Sequence, residues 1–348
     1  MNIIYQYNLF FQKIKKYLNY NIIILTNITI YNLYIKYFLL NIKKYVYKYL
    51  YIIKIYDGEI YKNIYTCIKI FNKLLKKKIN RNTIILNLGG GVITDLGGFI
   101  ASIYKRGIIF FNIPTSLLSI IDASIGGKNG INYNYLKNEI GSFYLPNNIL
   151  IDKNFLLSLK KKDILSGLSE LIKYSLIINY KLFILIIINY KFNFSNLIWN
   201  KILKYFINIK LYLIKLDYRE NNIRKFLNFG HTIGHALESY YLNNNFNISH
   251  GESVIIGILY ELWLSIKLNI LKKNIYINIK KFIFKIFKYL YIKYNIIKYL
   301  KKHIIYKMFY DKKNFNKNIN FTLIVNKKCT YNNILNKNIL YKLFYKNI

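Results

Sequence analysis

Three of the four histidines in this chain, His231, His235 and His250, lie between positions 231 and 250. They sit in Asn228-Phe229-Gly230-His231-Thr232-Ile233-Gly234-His235-Ala236-Leu237-Glu238 and in His250-Gly251-Glu252. Neutral imidazole is the commonest protein ligand for zinc and related metals. A His-x-x-x-His pair on a helix puts both rings on one face. The pattern points to a metal-centred site, although core or capping histidines would give the same spacing. Gly167-Leu168-Ser169-Glu170-Leu171-Ile172-Lys173-Tyr174 places Glu170 and Lys173 at i, i+3 of an apolar helix. Taken alone, that pair also reads as a surface ion pair. One carboxylate with two histidines makes a three-ligand catalytic zinc site with an open fourth position.

Two glycine-rich pieces suit anions. Gly89-Gly90-Gly91-Val92-Ile93-Thr94-Asp95 follows an apolar run that reads as a strand and opens a helical pattern. Glycines there let backbone approach a phosphate, and the helix N-terminus supplies donors. The spacing is not the usual Gly-x-Gly-x-x-Gly fingerprint, and a tight turn without a ligand would look the same. Asp122-Ala123-Ser124-Ile125-Gly126-Gly127-Lys128-Asn129-Gly130 adds a carboxylate and a lysine, with Lys137-Asn138 just beyond. Lysine beside glycines is a common anion holder.

The elements that must carry these residues fall into two regimes. Residues 21–27, 51–56 and 83–88 read as buried strands, and 61–78 as a helix between two of them. That βαβ rhythm predicts a parallel sheet with crossover helices. Beyond residue 159 the pattern changes to long apolar segments punctuated by lysine, which predict helices. The fold expected is an α/β nucleotide-binding domain over 1–159 and a mostly α-helical metal- and substrate-binding domain over 160–348.

The chain carries 53 basic and 14 acidic residues, a formal charge of +39. Such a balance suggests nucleic acid, but the lysines are dispersed rather than gathered in a patch. Lys, Asn, Ile, Tyr and Phe dominate together, as AT-rich coding would produce. No nucleic-acid partner is therefore expected. Cys67 and Cys329 form no Cys-x-x-Cys site, which fits reduced thiols in a cytoplasmic protein. No signal segment is evident at the start. The longest apolar run, 182–188, is too short to span a bilayer, so no membrane association is expected.

Taken in order, the motifs resemble those of the 3-dehydroquinate synthase family over residues 21–324. The likeness rests on Asp57-Gly58-Glu59-Ile60-Tyr61-Lys62, Gly89 to Asp95, Lys105-Arg106-Gly107, Pro114-Thr115-Ser116-Leu117-Leu118, Asp122 to Asn132, Lys137-Asn138-Glu139-Ile140-Gly141, Gly167 to Tyr174, Glu220 to Glu238 and His250-Gly251-Glu252. The resemblance implies conversion of 3-deoxy-D-arabino-heptulosonate 7-phosphate to 3-dehydroquinate and phosphate, in the shikimate route to aromatic amino acids. It implies a lyase that uses NAD catalytically, with zinc or cobalt. A hydroxyl is oxidised, phosphate is eliminated, the ketone is reduced again and the ring closes by an aldol step.

By that resemblance Glu170, His231 and His250 hold the metal, which lowers the pKa of substrate hydroxyls. Asp57, Gly58, Glu59, Lys62, Gly90, Gly91, Val92, Asp95, Thr115, Ser116, Asp122, Lys128, Lys137, Phe155 and Ser158 hold NAD. Lys128, Asn138, Lys173, Lys210, Arg224, Asn228 and His235 hold the substrate's carboxylate, phosphate and hydroxyls. Lys312 contacts phosphate, and Arg106 reaches the neighbouring subunit's site, which implies a homodimer. In a chain poor in arginine, Arg106 and Arg224 are also candidates for bidentate anion contacts on their own chemistry.

The chain departs from the family at Thr94, Ser175 and Asn222, where glycine is usual, and at Ser116 and Ser158, where threonine is usual. Thr94 is expected to crowd the pyrophosphate. Asn222 is expected to tolerate a positive φ. Readings that compete are a sister sugar-phosphate cyclase such as 2-deoxy-scyllo-inosose synthase or a sedoheptulose 7-phosphate cyclase, a glycerol dehydrogenase, a basic RNA-binding protein and an inactive copy. Lys210 with Arg224, suited to a substrate carboxylate, favours the first family.

Overall fold

Isoleucine is β-branched and packs well on a pleated surface, and the strands of the first unit are built from it. The computed structural model describes residues 1–17, 20–42, 50–134, 136–189, 194, 197–244, 248–288, 290, 304–308, 318–325, 328–336, 339–340 and 343. The chain divides into two units, Met1–Ile164 with Leu203–Leu211, and Leu165–Ile202 with Tyr212–Ile348.

The first unit runs β1 (Asn2–Ile4), α1 (Tyr7–Lys15), β2 (Asn21–Asn27), α2 (Ile28–Ile42), β3 (Leu50–Ile55), α3 (Ile64–Lys76), β4 (Thr83–Gly89), α4 (Gly91–Ile103), β5 (Ile109–Pro114), β6 (Lys128–Tyr133), β7 (Leu136–Phe143) and β8 (Asn148–Leu150). Six strands form one parallel sheet in the order β1-β8-β5-β4-β2-β3. The expected parallel α/β architecture is present. Successive isoleucines serve opposite faces: Ile23, Leu25 and Ile85 pack in a core with Cys67, Ile70, Leu96 and Ile100, while Ile22, Ile24, Ile84 and Leu86 pack with Phe10, Phe38 and Phe155. Burial on both faces explains why the strands read as continuous apolar runs without alternation. The expected helix at 61–78 starts later, at Ile64, where the Asn63 side chain accepts the Thr66 N–H at 2.9 Å.

β6 and β7 form an antiparallel hairpin that the sequence reading did not anticipate. It carries Lys128 at its start and Lys137 and Asn138 on its return strand.

The second unit contains α5 (Lys161–Ile178), α6 (Tyr180–Ile188), α7 (Leu197–Leu216), α8 (His231–Asn243), α9 (His250–Lys267) and α10 (Lys273–Ile286), with a short helix over Ile223–Asn228. The first turn of α5 and residues Leu203–Leu211 of α7 group with the first unit. The second unit is mostly helical, as expected. It also holds an antiparallel hairpin, β9 (Asn318–Val325) and β10 (Lys328–Asn336). That hairpin is tied to the helices by Thr232 Oγ1, which donates to the Asn320 carbonyl at 3.3 Å, and by Thr322 Oγ1, which donates to the Lys225 carbonyl at 3.1 Å. Among the described residues, no helix is long and apolar enough to cross a membrane.

Candidate metal centre and anion sites

Three helices supply the residues singled out as metal ligands. α8 begins at His231 and α9 at His250. Glu170 lies inside α5 and is fully buried. Glycine permits the close packing. A Cβ at Gly257 of α9 would lie 2.0 Å from the Gly230 carbonyl oxygen just before α8, and a Cβ at Gly251 would lie 2.4 Å from Ser166 Cα of α5. Larger residues at either point would separate the helices that carry Glu170, His231 and His250. The start of α9 is fixed by a capping box, with Ser249 Oγ accepting the Glu252 N–H and Glu252 accepting the Ser249 N–H at 2.6 Å.

In this packing one ligand atom from each of Glu170, His231 and His250 lies within 4.8 Å of the others. Both imidazoles turn Nε2 towards Glu170 Oε1, at 3.6 Å each. Their Nδ1 atoms face away, His231 Nδ1 to the Phe229 carbonyl at 3.2 Å and His250 Nδ1 to the Glu238 carboxylate at 3.3 Å. Glu170 Oε1 accepts no hydrogen bond among the described residues, while Oε2 is ion-paired with the buried Lys173 ammonium. A buried carboxylate oxygen with no donor is costly, and two imidazole nitrogens aimed at it make a set that a divalent cation completes. The donor chemistry, two nitrogens and one carboxylate, is that of catalytic zinc. His235 stands one turn further along α8, its ring 5.2 Å from that of His231 and 6.3 Å from that of His250.

The loop before α8 is tied down by acids. Asp217 accepts the backbone N–H groups of Asn221 (2.9 Å), Asn222 (2.7 Å) and Arg224 (3.0 Å). Burial alone would raise the Asp217 carboxyl, but these three donors and the Arg224 charge hold it below its ordinary value. The buried Arg224 donates Nη1 to the Tyr218 carbonyl at 2.7 Å, and Asn228 donates Nδ2 to Glu220 Oε1 at 2.7 Å. Asn222 does not use the positive φ it would tolerate: it has φ −132°, and Glu220 carries the left-handed turn at φ 60°. The three N–H groups gathered by Asp217 set the path of this loop, and the strain falls two residues earlier.

In the first unit Asp57 to Lys62 follow the carboxyl end of β3, Gly90 to Asp95 that of β4, and Thr115 and Ser116 that of β5, the edge where parallel α/β sheets bind ligands; Lys128 and Lys137 lie on the β6–β7 hairpin, and Phe155 and Ser158 follow β8. Asp57 follows β3 and accepts from the Asn27 side chain and from the Thr29 N–H. Gly58 has φ 118° and starts the turn that carries Glu59 and Lys62. Lys62 Nζ bonds Asp95 Oδ2 at 2.5 Å and Asn138 Oδ1 at 2.6 Å, and Lys137 pairs with Glu59 at 3.7 Å. Desolvation lifts the Asp95 carboxyl above its ordinary value, with Lys62 pulling the other way. Gly90 caps α4, and Gly91 and Val92 form its first turn. A Cβ at Gly90 would meet Ser116 Oγ at 3.4 Å, and one at Gly91 would meet Ala123 Cβ at 3.3 Å. A helix N-terminus without side chains offers backbone donors to an anion. Thr115 N donates back to the Gly89 carbonyl at 3.0 Å.

Thr94 is buried, and its hydroxyl donates to the Gly91 carbonyl at 3.1 Å, inside its own helix. Ser116 bonds Ser119, and the exposed Ser158 accepts the Tyr34 hydroxyl, whose ring packs edge-on against the buried Phe155 at 4.8 Å. Lys210 of α7 is ion-paired with Asp122 and also bonds the Asp122 carbonyl at 2.5 Å. Lys128 is exposed at the head of the β6–β7 hairpin. Arg106 is exposed in a turn where Lys105 (φ 52°), Arg106 (φ 64°) and Gly107 (φ 113°) are all left-handed. Lys312 lies outside the described residues.

Sequence reasoning passed over Glu238, Glu261 and Asp217 as individual residues. Their scarcity was the available signal. In a chain with 14 acidic residues, three are placed against the backbone or the histidine that the site depends on. Cys67 is buried, with desolvation pushing its thiol up to about 12, so it is chemically quiet.

Comparison with known proteins agrees with the motifs. Family models for the 3-dehydroquinate synthase N-terminal and C-terminal regions match residues 52–166 and 167–314. The chain is similar to a 3-dehydroquinate synthase of Clostridium tetani, 40% identical over 291 residues, covering 82% of this chain and 72% of that one. In structure it resembles 2-epi-5-epi-valiolone synthase of Streptomyces hygroscopicus, solved with NAD+ and Zn2+, at a TM-score of 0.85 and 20% identity, covering 99% of this chain and 96% of that one. It also resembles a 2-deoxy-scyllo-inosose synthase solved with carbaglucose-6-phosphate, NAD+ and Co2+, at a TM-score of 0.78 and 18% identity, covering 100% of this chain and 96% of that one.

Proposed function

This chain belongs to the 3-dehydroquinate synthase family, and from that membership we propose that it converts 3-deoxy-D-arabino-heptulosonate 7-phosphate to 3-dehydroquinate and phosphate. The observation that carries the reading is the convergence of Glu170, His231 and His250 inside 4.8 Å, in a chain matched by both halves of the family. NAD and a divalent metal, zinc or cobalt, fit the sites described. When bound, NAD takes and returns a hydride and the metal acts as a Lewis acid towards substrate hydroxyls.

The chain's own residues do the rest. Glu170, His231 and His250 present three donors and leave one side open. Lys173 compensates the buried Glu170 carboxylate and supplies an ammonium for the substrate. The family resemblance assigns Lys210 and Arg224 to the substrate carboxylate; Lys210 is ion-paired with Asp122. Lys128, Asn138, Asn228 and His235 hold phosphate and hydroxyls. The substrate phosphate itself assists its elimination, so no dedicated protein base is assigned there. The α4 N-terminus takes the NAD pyrophosphate, and Asp57, Glu59, Lys62, Asp95, Lys137 and the segment from Phe155 to Ser158 hold the remainder.

The enzyme is read as a cytoplasmic homodimer in which Arg106 reaches the partner's site. Two consecutive non-glycine residues held left-handed are costly, which supports a fixed role for that turn. The sister cyclases share the fold, and the substrate carboxylate separates them from this reading. The test supplies purified protein with 3-deoxy-D-arabino-heptulosonate 7-phosphate, NAD and zinc, beside a chelator-treated control and a parallel reaction with sedoheptulose 7-phosphate. Chelator-sensitive release of phosphate with formation of 3-dehydroquinate is expected. Folded, NAD-bound and metal-loaded protein that forms no 3-dehydroquinate would sink the assignment, and turnover of sedoheptulose 7-phosphate instead would move it to a sister cyclase.

A further inference from the structure

We propose that Glu238 is a positioning residue for the metal centre, fixing His250 as the Nδ1–H tautomer so that its Nε2 lone pair faces the metal position. The inference rests on the reading that Glu170, His231 and His250 hold a divalent ion. Glu238 is one turn beyond His235 on α8 and is 1% exposed. Both of its carboxylate oxygens lie near His250 Nδ1, at 3.3 and 3.4 Å. An ionised carboxylate only accepts hydrogen bonds. Nδ1 is within hydrogen-bond range of that carboxylate at 3.3 Å, whereas Nε2 stands 3.6 Å from Glu170 Oε1, so the geometry favours the proton on Nδ1 and leaves Nε2 as the donor atom.

The two histidines are held by different acceptors. His231 Nδ1 faces a neutral carbonyl, that of Phe229, two residues away in the same segment. His250 Nδ1 faces a charged carboxylate from another helix. A carboxylate partner raises the basicity of the imidazole more than a carbonyl does and fixes its ring plane. Glu238 thus makes His250 the stronger nitrogen donor of the pair. It also links the placement of α9 to that of α8, since the contact forms only when both helices are docked. A buried carboxylate 12 residues from its partner, in a chain that has few acids, is an expensive feature to carry for packing alone.

The test compares Glu238→Gln and Glu238→Met with the full-length wild-type chain. Zinc and cobalt affinities are measured by competition with a chromophoric chelator. The His250 tautomer is read from long-range proton–nitrogen correlation spectra of metal-free protein. Steady-state kinetics separate kcat from KM. Gln keeps an acceptor oxygen but removes the charge, so zinc affinity is expected to fall about tenfold with the tautomer retained. Met fills the volume without accepting, so zinc affinity is expected to fall roughly 100-fold and His250 to become a mixture of tautomers. NAD affinity is expected to stay unchanged in both variants. The proposal is overturned if Glu238→Gln, folded by circular dichroism, binds zinc as tightly as wild type. It is equally overturned if the metal-free wild type shows His250 protonated at Nε2. Wild-type protein that binds neither ion would sink the metal centre and this role together, whereas equal binding by wild type and variants would sink this role alone.

Discussion

The backbone N–H of Gly230 donates to Glu261 Oε2 at 2.6 Å, and both residues are buried. Glu261 comes from the middle of α9 and also lies 3.5 Å from the Ile233 N–H. It therefore sits at the N-terminus of α8, where a negative charge meets unpaired backbone donors and the positive end of the helix dipole. His231 is the first residue of that helix, so the same carboxylate that satisfies the helix also locates the first histidine.

Replacing Glu261 with alanine leaves those donors buried without a partner. A loss of about 2–3 kcal/mol is expected, and with it a fall in Tm of roughly 4–12 °C. Thermal unfolding in the presence of a chelator reads this directly. An unchanged Tm would show that Glu261 is only a filler.

Glu170→Ala, His231→Ala and His250→Ala should each remove bound zinc and lower turnover by about a thousandfold or more, the scale of losing several kcal/mol of Lewis-acid stabilisation. Titration with NAD should stay within about twofold of wild type, because the residues proposed to hold NAD belong to the other unit. Metal content by elemental analysis beside the NAD titration checks both halves, and a variant that keeps stoichiometric zinc would strike its residue from the ligand set.

Asp217 gives the chain a defined response to acid. Its carboxyl is held below the ordinary value of 3.8 in the folded protein. The stability it contributes is therefore fully present above that ordinary value and is lost as pH falls through the lower folded value. Urea unfolding of wild type and Asp217→Asn should differ by a constant amount from neutral pH down to about pH 5, and the gap should close below about pH 4. A gap that persists unchanged at the lowest pH would contradict the hydrogen-bonded carboxylate. Arg224 is held by the same loop, so the variant should also raise KM for the carboxylated substrate.

Thr94 turns its hydroxyl into its own helix. Thr94→Gly is expected to leave NAD affinity within about twofold while lowering Tm, since glycine inside a helix costs about 0.5–1 kcal/mol. Markedly tighter NAD binding by the variant would show that Thr94 crowds the pyrophosphate.

The charge of +39 predicts opposite effects of salt on stability and on substrate capture. Raising ionic strength from about 0.05 to 0.5 M shortens the Debye length and screens lysine self-repulsion, so Tm should rise. The same screening weakens attraction of an anionic substrate, so kcat/KM should fall. A Tm that falls with added sodium chloride would mean that the lysines are paired more fully than the composition suggests.

Much of the fold was legible in the sequence because its signals are local. Isoleucine runs mark buried parallel strands, and Gly89 to Asp95 marks a strand entering a helix. Residues 128–143 were not legible as a hairpin, because Gly126, Gly127 and Gly130 suggest an anion loop as readily as a turn into strands. The hairpin of β9 and β10 was hidden by the same lysine and asparagine excess that blurs every polar face.

The sequence by itself determined the chemistry available: which histidines, which glutamate, and which lysines and arginines stand in collinear motifs. That follows because residue identity and spacing need no third dimension. Apart from the family resemblance, residue spacing left open whether His231 or His235 joins Glu170, and the tertiary structure decided it. His231 and His235 are equivalent on one helix face, but the approach of α9 at Gly257 and of α5 at Gly251 brings His231 and His250 to Glu170 Oε1 at 3.6 Å each. It also decided that Glu238 and Glu261 face inward. A carboxylate on an amphipathic helix reads as surface until the neighbouring helix supplies the histidine or the backbone donors that make its burial favourable.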